Sequence, residues 1–362
     1  MKRLVSILVS GVILLLIYWK IDFAGLIRVF RECDRLWMAI SLGMVIPLTL
    51  LTAWRLQMLM PGLGVRGQGS GVRFSESVFS KAEDSDLEPI SQSQTSNPPP
   101  FPNSQPLIPN LSLRFWEANQ LILAASSLNM VLPSKMGDIA KAYFMRDRGH
   151  LTGSLALSLV VFEKACDMLS LLLWCVFGLL LYPQKDWLFW VMTVSVLGGL
   201  VLGLLLLGWP RFAQFFFRQA ERIAPKKTGK KLVTLSHSWQ EMHDYFWGDR
   251  RQLAKISAMS IFIWFLHLLQ IWFFILALQA WVPFITNLAL SPLAILAGLL
   301  PLTFAGVGTR DAALIVFYAP YFKAATAAAL GVLCTSRYFL PAIAGLPFLG
   351  QYLSVAREVR QR

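Results

Sequence analysis

Six long runs of this chain are apolar almost throughout, and they limit its fold more than any other feature. They lie at about Leu4–Trp19, Leu36–Met60, Gly153–Tyr182, Trp187–Gly208, Leu253–Val282 and Ala324–Ser354. A helix of ~20 apolar residues crosses the ~30 Å hydrocarbon layer of a bilayer, with every backbone hydrogen bond made internally. The runs are therefore expected to be membrane-spanning helices, the first of them only marginally long enough. Composition agrees, since 56% of the 362 residues are hydrophobic and 15% are charged, more apolar than soluble domains. The net charge of +13 then reads as loops held against anionic headgroups. Nucleic-acid binding is disfavoured because the basic residues flank apolar runs and build no basic domain. The first run starts with charge like an export signal, but no small-x-small cleavage site follows, so it reads as a retained span.

Two polar tracts separate these runs. Between Gly62 and Leu113 the chain is rich in Ser, Pro, Gly and Gln, which cannot bury enough surface to offset ordering entropy, and a disordered linker is expected. Asp84-Ser85-Asp86 within it has the look of a sugar-nucleotide metal motif, a chance match in an acidic tract. From Arg211 to Lys255 ten Lys or Arg face four acids. Phe212, Phe215, Phe216 and Ile223 fall near one helical face there, with Arg218 and Arg222 on another. That pattern describes an interfacial helix and a polybasic turn on the cytoplasmic leaflet, or else a plain cytoplasmic loop. Cys33, Cys166, Cys175 and Cys334 have no metal-ligand or disulfide spacing, and His237, His243 and His267 lack HExxH spacing. No metal, cofactor or catalytic residue is expected.

Two further segments, Phe115–Leu132 and Asn287–Leu300, are shorter or more polar, and each runs into an unusual phrase: "LPSKMGDIAKAYFMR" from Leu132 and "LPLTFAGVGTRDAALIVF" from Leu300. Basic loops stay in the cytoplasm. If Phe115–Leu132 crossed fully, both Lys135–Arg148 and the ten-cation tract would lie outside. If it instead enters, breaks at "PSKMG" and returns, both basic blocks are cytoplasmic. The same logic makes Asn287–Leu300 enter from the opposite face, break at "PLTFAGVG" and return. The expected fold is an all-α polytopic membrane protein of about six transmembrane helices plus two re-entrant helical hairpins in an inverted repeat, with eight full spans as the alternative. Its divisions are 1–61, two spans; 62–113, linker; 114–209, first hairpin and two spans; 210–252, basic interfacial segment; and 253–362, a span, the second hairpin, the last span and a basic tail. Both termini are expected in the cytoplasm of a bacterial-type inner membrane.

Pro and Gly interrupt helices, and a helix restarted in the membrane offers free N–H groups and a positive dipole end to an anion. Lys135 and Lys141 lie beside the first restart and Arg310 beside the second. Asp138, Thr309 and Asp311 complete the candidate headgroup-binding set, although Asp138 and Thr309 also suit helix caps and Asp311 also suits a partner for Arg310. Glu163, Lys164 and Asp167 in "FEKACD", and Arg337 in "CTSRYF", lie at mid-span and are candidates to line a mid-membrane path. The Glu163–Lys164–Asp167 triplet is equally able to neutralise itself.

Leu132-Pro133, Gly137-Asp138-Ile139-Ala140-Lys141-Ala142, Glu163-Lys164-Ala165-Cys166-Asp167 and Gly306-Val307-Gly308-Thr309-Arg310-Asp311 occur in that order. This series resembles the flippase-like membrane family related to the transmembrane region of lysylphosphatidylglycerol synthases, and "AWRLQMLM" at Ala53–Met60 is similar to its Arg-containing second span. Two of the family's arginines stand here as Lys141 and Lys164, and its later Glu as Asp311. Lysine keeps the charge but lacks the two-pronged fork. The resemblance implies movement of lipids between leaflets. The aminoacyl-transfer domain of the bifunctional synthases would follow the membrane region; since the sequence stops at Arg362, that activity is not expected. The function expected is therefore a lipid flippase or transporter for an anionic or lipid-linked headgroup, with an anionic phospholipid or lipid-linked substrate as partner and homo-oligomerisation open. A membrane-embedded lipid-modifying transferase and a non-transporting partner of a lipid-synthesis complex are the alternatives.

Overall fold

A computed structural model describes residues 23–60, 113–131, 136–147, 153–182, 185–223, 246–299 and 308–361, with a few residues between 236 and 244. The first expected span, the linker, Lys135, the lysines at 226–231 and the second break at 301–307 lie outside the described residues.

The described chain is helical and contains no strand. In order, the helices are α1 (Phe23–Arg31), α2 (Arg35–Gly43), α3 (Val45–Leu59), α4 (Phe115–Val131), α5 (Met136–Asp147), α6 (Gly153–Leu181), α7 (Trp187–Gly208), α8 (Pro210–Ile223), α9 (Arg250–Ala277), α10 (Phe284–Gly298), α11 (Thr309–Tyr318), α12 (Ala324–Ser336) and α13 (Phe339–Gln361). Five segments among the described residues are long and apolar enough to cross a membrane: Arg35–Leu59, Leu155–Leu181, Trp187–Gly208, Arg250–Ala277 and Ala324–Gly350. They coincide with the last five apolar runs. The chain is an all-α polytopic membrane protein.

Acidic caps begin several of these helices where the chain turns apolar. Asp34 accepts from the N–H groups of Leu36 and Trp37, Asp186 from Phe189, and Asp249 from Arg251 and Gln252. Prolines break two of the spans that read as continuous in sequence. Pro47 cannot donate to the carbonyl of Gly43, nor Pro341 to that of Arg337. At those points α2 gives way to α3 and α12 to α13. The last span is therefore interrupted at Arg337 and Tyr338. The run expected from Leu253 to Val282 ends as helix at Ala277, because Gln279 takes a positive φ of 54°.

Two apolar cores are strung along α6 and α9. The first gathers α3, α4, α5 and the N-terminal half of α6, together with Ile256 at the start of α9. The second gathers the C-terminal halves of α6 and α9 with α10, α11 and α12. The pairs α4–α5 and α10–α11 therefore sit at opposite ends of the same two long helices. Each also packs its first limb on a span from the other half, α4 on α13 and α10 on α6. Glycines permit both crossings: a Cβ on Gly345 would strike the Leu123 carbonyl, and one on Gly178 the Ala289 carbonyl.

The outermost span is α7. Trp187 and Trp190 at its start and Trp209 just beyond its end are exposed, as side chains at the two membrane interfaces are. Helix α8 follows at once, with Pro210 at its first position, where the missing N–H costs nothing. Ala213 is buried against the protein while Phe215 and Phe216 face outward beside Arg211, Arg218 and Arg222. Aromatic and basic side chains thus share the outward side of α8.

Candidate functional site: two clusters of buried charge

Helix α6 carries Glu163 and Asp167 one turn apart, hence on one face. Arg55 of α3 reaches both. Its Nη2 donates to Glu163 Oε1 at 3.1 Å and to Asp167 Oδ2 at 3.2 Å, while Nη1 donates to Asp167 Oδ1 and to Ser260 Oγ of α9 at 3.0 Å. The planar guanidinium fork suits two carboxylates at once, which an ammonium could not match. Glu163 also accepts from Lys141 of α5 through Oε2. Asp138, one turn before Lys141, pairs with Lys164 at 3.3 Å, and Lys164 lies 3.9 Å from Asp167. Three cations and three carboxylates thus form a continuous, formally neutral network joining α3, α5 and α6.

The network is closed on one side and open on the other. Arg55 is 2% and Glu163 1% exposed, whereas the Lys164 side chain is 46% exposed. Backbone geometry holds it in place. Gly137 donates its N–H to Asn129 Oδ1 at 2.9 Å, and a Cβ there would overlap the Ala125 carbonyl. Only glycine lets α5 start so close to α4. Asp138 acts here as an ion-pair partner within the first turn of α5.

At the start of α11 stand Arg310 and Asp311. Gly308 precedes them with φ of 102°, a conformation that an L side chain resists, and its N–H is capped by Asp311 Oδ2 at 3.0 Å. The helix thus starts on Gly308 and Asp311, with Thr309 as its first residue. Arg310 is buried and saturated: Asp311 Oδ1 at 3.2 and 2.8 Å, the Gly331 carbonyl at 3.0 Å and Thr335 Oγ1 at 2.6 Å all accept from it. A side chain on Gly331 would displace the Asp311 carboxylate. Nearby, Asn287, Ser291 and Tyr318 form a buried polar knot that ties α10 and α11 to the Leu268 carbonyl of α9.

The expected site residues thus fall into separate groups. Asp138, Lys141, Glu163, Lys164 and Asp167 come together in one network. Thr309, Arg310 and Asp311 form a second, and among the described residues no ion pair joins the two. Arg337 stands in the break between α12 and α13, 5% exposed. Sequence reasoning assigned no role to Arg55 or Ser260. Arg55 had a signal, as the lone charge in the apolar run Leu36–Met60; Ser260 had none. Among the described residues no group of His, Cys, Asp and Glu is arranged to hold a metal ion.

A family model described as the lysylphosphatidylglycerol synthase TM region matches residues 107–345, about two thirds of the chain. The match runs from just before α4 into α13, so Arg55 joins the network from outside it. No curated protein matches the chain.

Proposed function

The chain belongs to the family of lysylphosphatidylglycerol synthase transmembrane regions, as a multi-pass membrane protein of lipid metabolism or transport, and from that premise we propose that it carries an anionic or lipid-linked headgroup between leaflets. The observation that carries this reading is the six-membered charge network with its single exposed corner at Lys164. Ion pairs inside an apolar bundle roughly break even in stability, so packing alone gives little reason to build one. For an anionic headgroup the same groups are useful. Phosphate can replace a carboxylate on Lys141 or Lys164 without leaving any cation bare, and the freed carboxylate can take up a proton or turn to its remaining cation.

The architecture supports two re-entrant hairpins. At 1.5 Å per residue, α4, α5, α10 and α11 span roughly 25, 18, 22 and 15 Å, all short of the ~30 Å hydrocarbon layer. Their positions at opposite ends of α6 and α9, and the reciprocal packing of α4 on α13 and α10 on α6, fit an inverted repeat. In this reading Lys135, Lys141 and Arg310 receive headgroup phosphate, Asp138, Thr309 and Asp311 orient them, and Glu163, Lys164, Asp167 and Arg337 line the path. The membrane is a bacterial-type inner membrane with both termini in the cytoplasm.

The test is headgroup flipping of fluorescent phosphatidylglycerol in vesicles reconstituted with the full chain. Lys164→Ala and Arg337→Ala are expected to lose most of the activity while the protein reconstitutes normally. Unchanged flipping in both variants overturns the assignment.

A further inference from the structure

Four cations are buried among the described residues: Arg55, Lys141, Arg310 and Arg337. The first three are each held by a carboxylate. Arg337 has no acidic partner among the described residues. Its Nη2 donates to the hydroxyl of its own neighbour Tyr338 at 3.0 Å, and the guanidinium lies 5.0 Å from that ring's centroid. Its Nε and Nη1 are buried with no hydrogen-bond partner.

Position makes this unusual. The apolar segment Ala324–Gly350 has its midpoint at residue 337, so the charge without an acidic partner stands in the middle of the last candidate span. The break opposite Pro341 puts it there, since the helical ladder cannot run through the Arg337 carbonyl. On the adjoining α9, His267 feels the Arg337 charge and also keeps a buried Nδ1 without a partner. An unpaired guanidinium in such surroundings is among the costliest groups a membrane protein can keep. Arg310 gives the contrast: a carboxylate, a carbonyl and a hydroxyl all accept from it. Among the described residues Arg337 has only the neighbouring Tyr338 hydroxyl, with no carboxylate or carbonyl accepting from it.

We propose that Arg337, buried at the α12–α13 break without an acidic partner among the described residues, is a binding site for a phosphate oxyanion. Guanidinium donors in a fixed plane match phosphate oxygens, and a weakly hydrated cation at mid-depth gains most from an anion that arrives with its own charge. The choice of a lipid headgroup as the source of that phosphate rests on the transport reading above; the oxyanion chemistry does not.

The experiment uses the full chain, stripped of lipid in maltoside micelles, and follows thermal unfolding as dihexanoyl-phosphatidylglycerol, dihexanoylglycerol or inorganic phosphate is added. Wild type is expected to be stabilised by the phosphatidylglycerol and not by the phosphate-free dihexanoylglycerol. Arg337→Gln is expected to bind the phosphatidylglycerol at least tenfold more weakly, while the surface variant Lys323→Gln binds as wild type does. In the absence of ligand Arg337→Gln is expected to melt no lower than wild type, because it removes an orphaned charge. Should the glutamine variant fail to fold, Arg337→Lys keeps the charge without the fork and is expected to fall between the two. Stabilisation by inorganic phosphate alone, lost in the variant, keeps the site and assigns it a soluble anion. Equal responses in wild type and variant overturn it, as does a large drop in melting temperature of the ligand-free variant. Arg337-dependent binding in a protein that flips no lipid would retire the transport reading and leave this site standing.

Discussion

Glu163 carries two cations at once, with one oxygen on Arg55 and the other on Lys141. Removing it leaves two buried positive charges short of a partner, and breaking a buried pair in this way costs about 3–5 kcal/mol. Glu163→Ala is therefore expected to lower the unfolding temperature sharply in detergent. Glu163→Ala combined with Lys141→Ala is expected to recover part of that loss, since the second change removes one of the stranded charges. Additive losses in the double variant would mean that the two side chains do not act as a pair. From the sequence, Glu163, Lys164 and Asp167 are candidates to line a mid-membrane path, with a self-neutralising triplet as the alternative. In the folded chain Glu163 turns away to Arg55 and Lys141, and Lys164 keeps Asp138 and Asp167. Spacing within one helix reveals which groups share a face, but not which neighbouring helix claims them.

Helices meet here where glycine lets them. Gly178 brings α6 against the backbone of α10 at Ala289, whereas Gly198 on α7 has open space where a Cβ would sit. Gly178→Ala is expected to push α10 away and lower thermal stability. Gly198→Ala is expected to be neutral or to stabilise by up to ~1 kcal/mol through helix propensity. Equal effects at the two positions would show that the α6–α10 crossing does not depend on close approach. Both glycines look alike in sequence, each a small residue inside an apolar run, and only the partner helix separates them. The proline breaks are different in kind. Pro47 and Pro341 each act on a carbonyl four residues upstream, so the interruptions after Gly43 and at Arg337 are written locally, although the apolar runs that contain them read as continuous.

For the molecule as a whole, the basic tract from Arg211 to Lys255 and the turn after α9 should lie on opposite faces of the membrane. Single cysteines replacing Arg222 or Asp249 are expected to react with impermeant maleimide from the cytoplasmic side, and one replacing Ala280 from the other side. Labelling of position 222 from outside would remove the two-hairpin topology. Hydrophobic period and length alone establish that this chain is helical and membrane-embedded, because continuous apolar runs of ~20 residues suit a spanning helix, whereas a barrel strand needs only ~9–11 residues that alternate in polarity. The order of short motifs also pointed to the family. Which charges are spent on one another is another matter: Arg55 and Glu163 lie 108 residues apart. Their pairing, the saturation of Arg310 and the bareness of Arg337 follow from how α3, α6, α9 and α12 pack, and packing is a property of contacts between distant segments that no local pattern encodes.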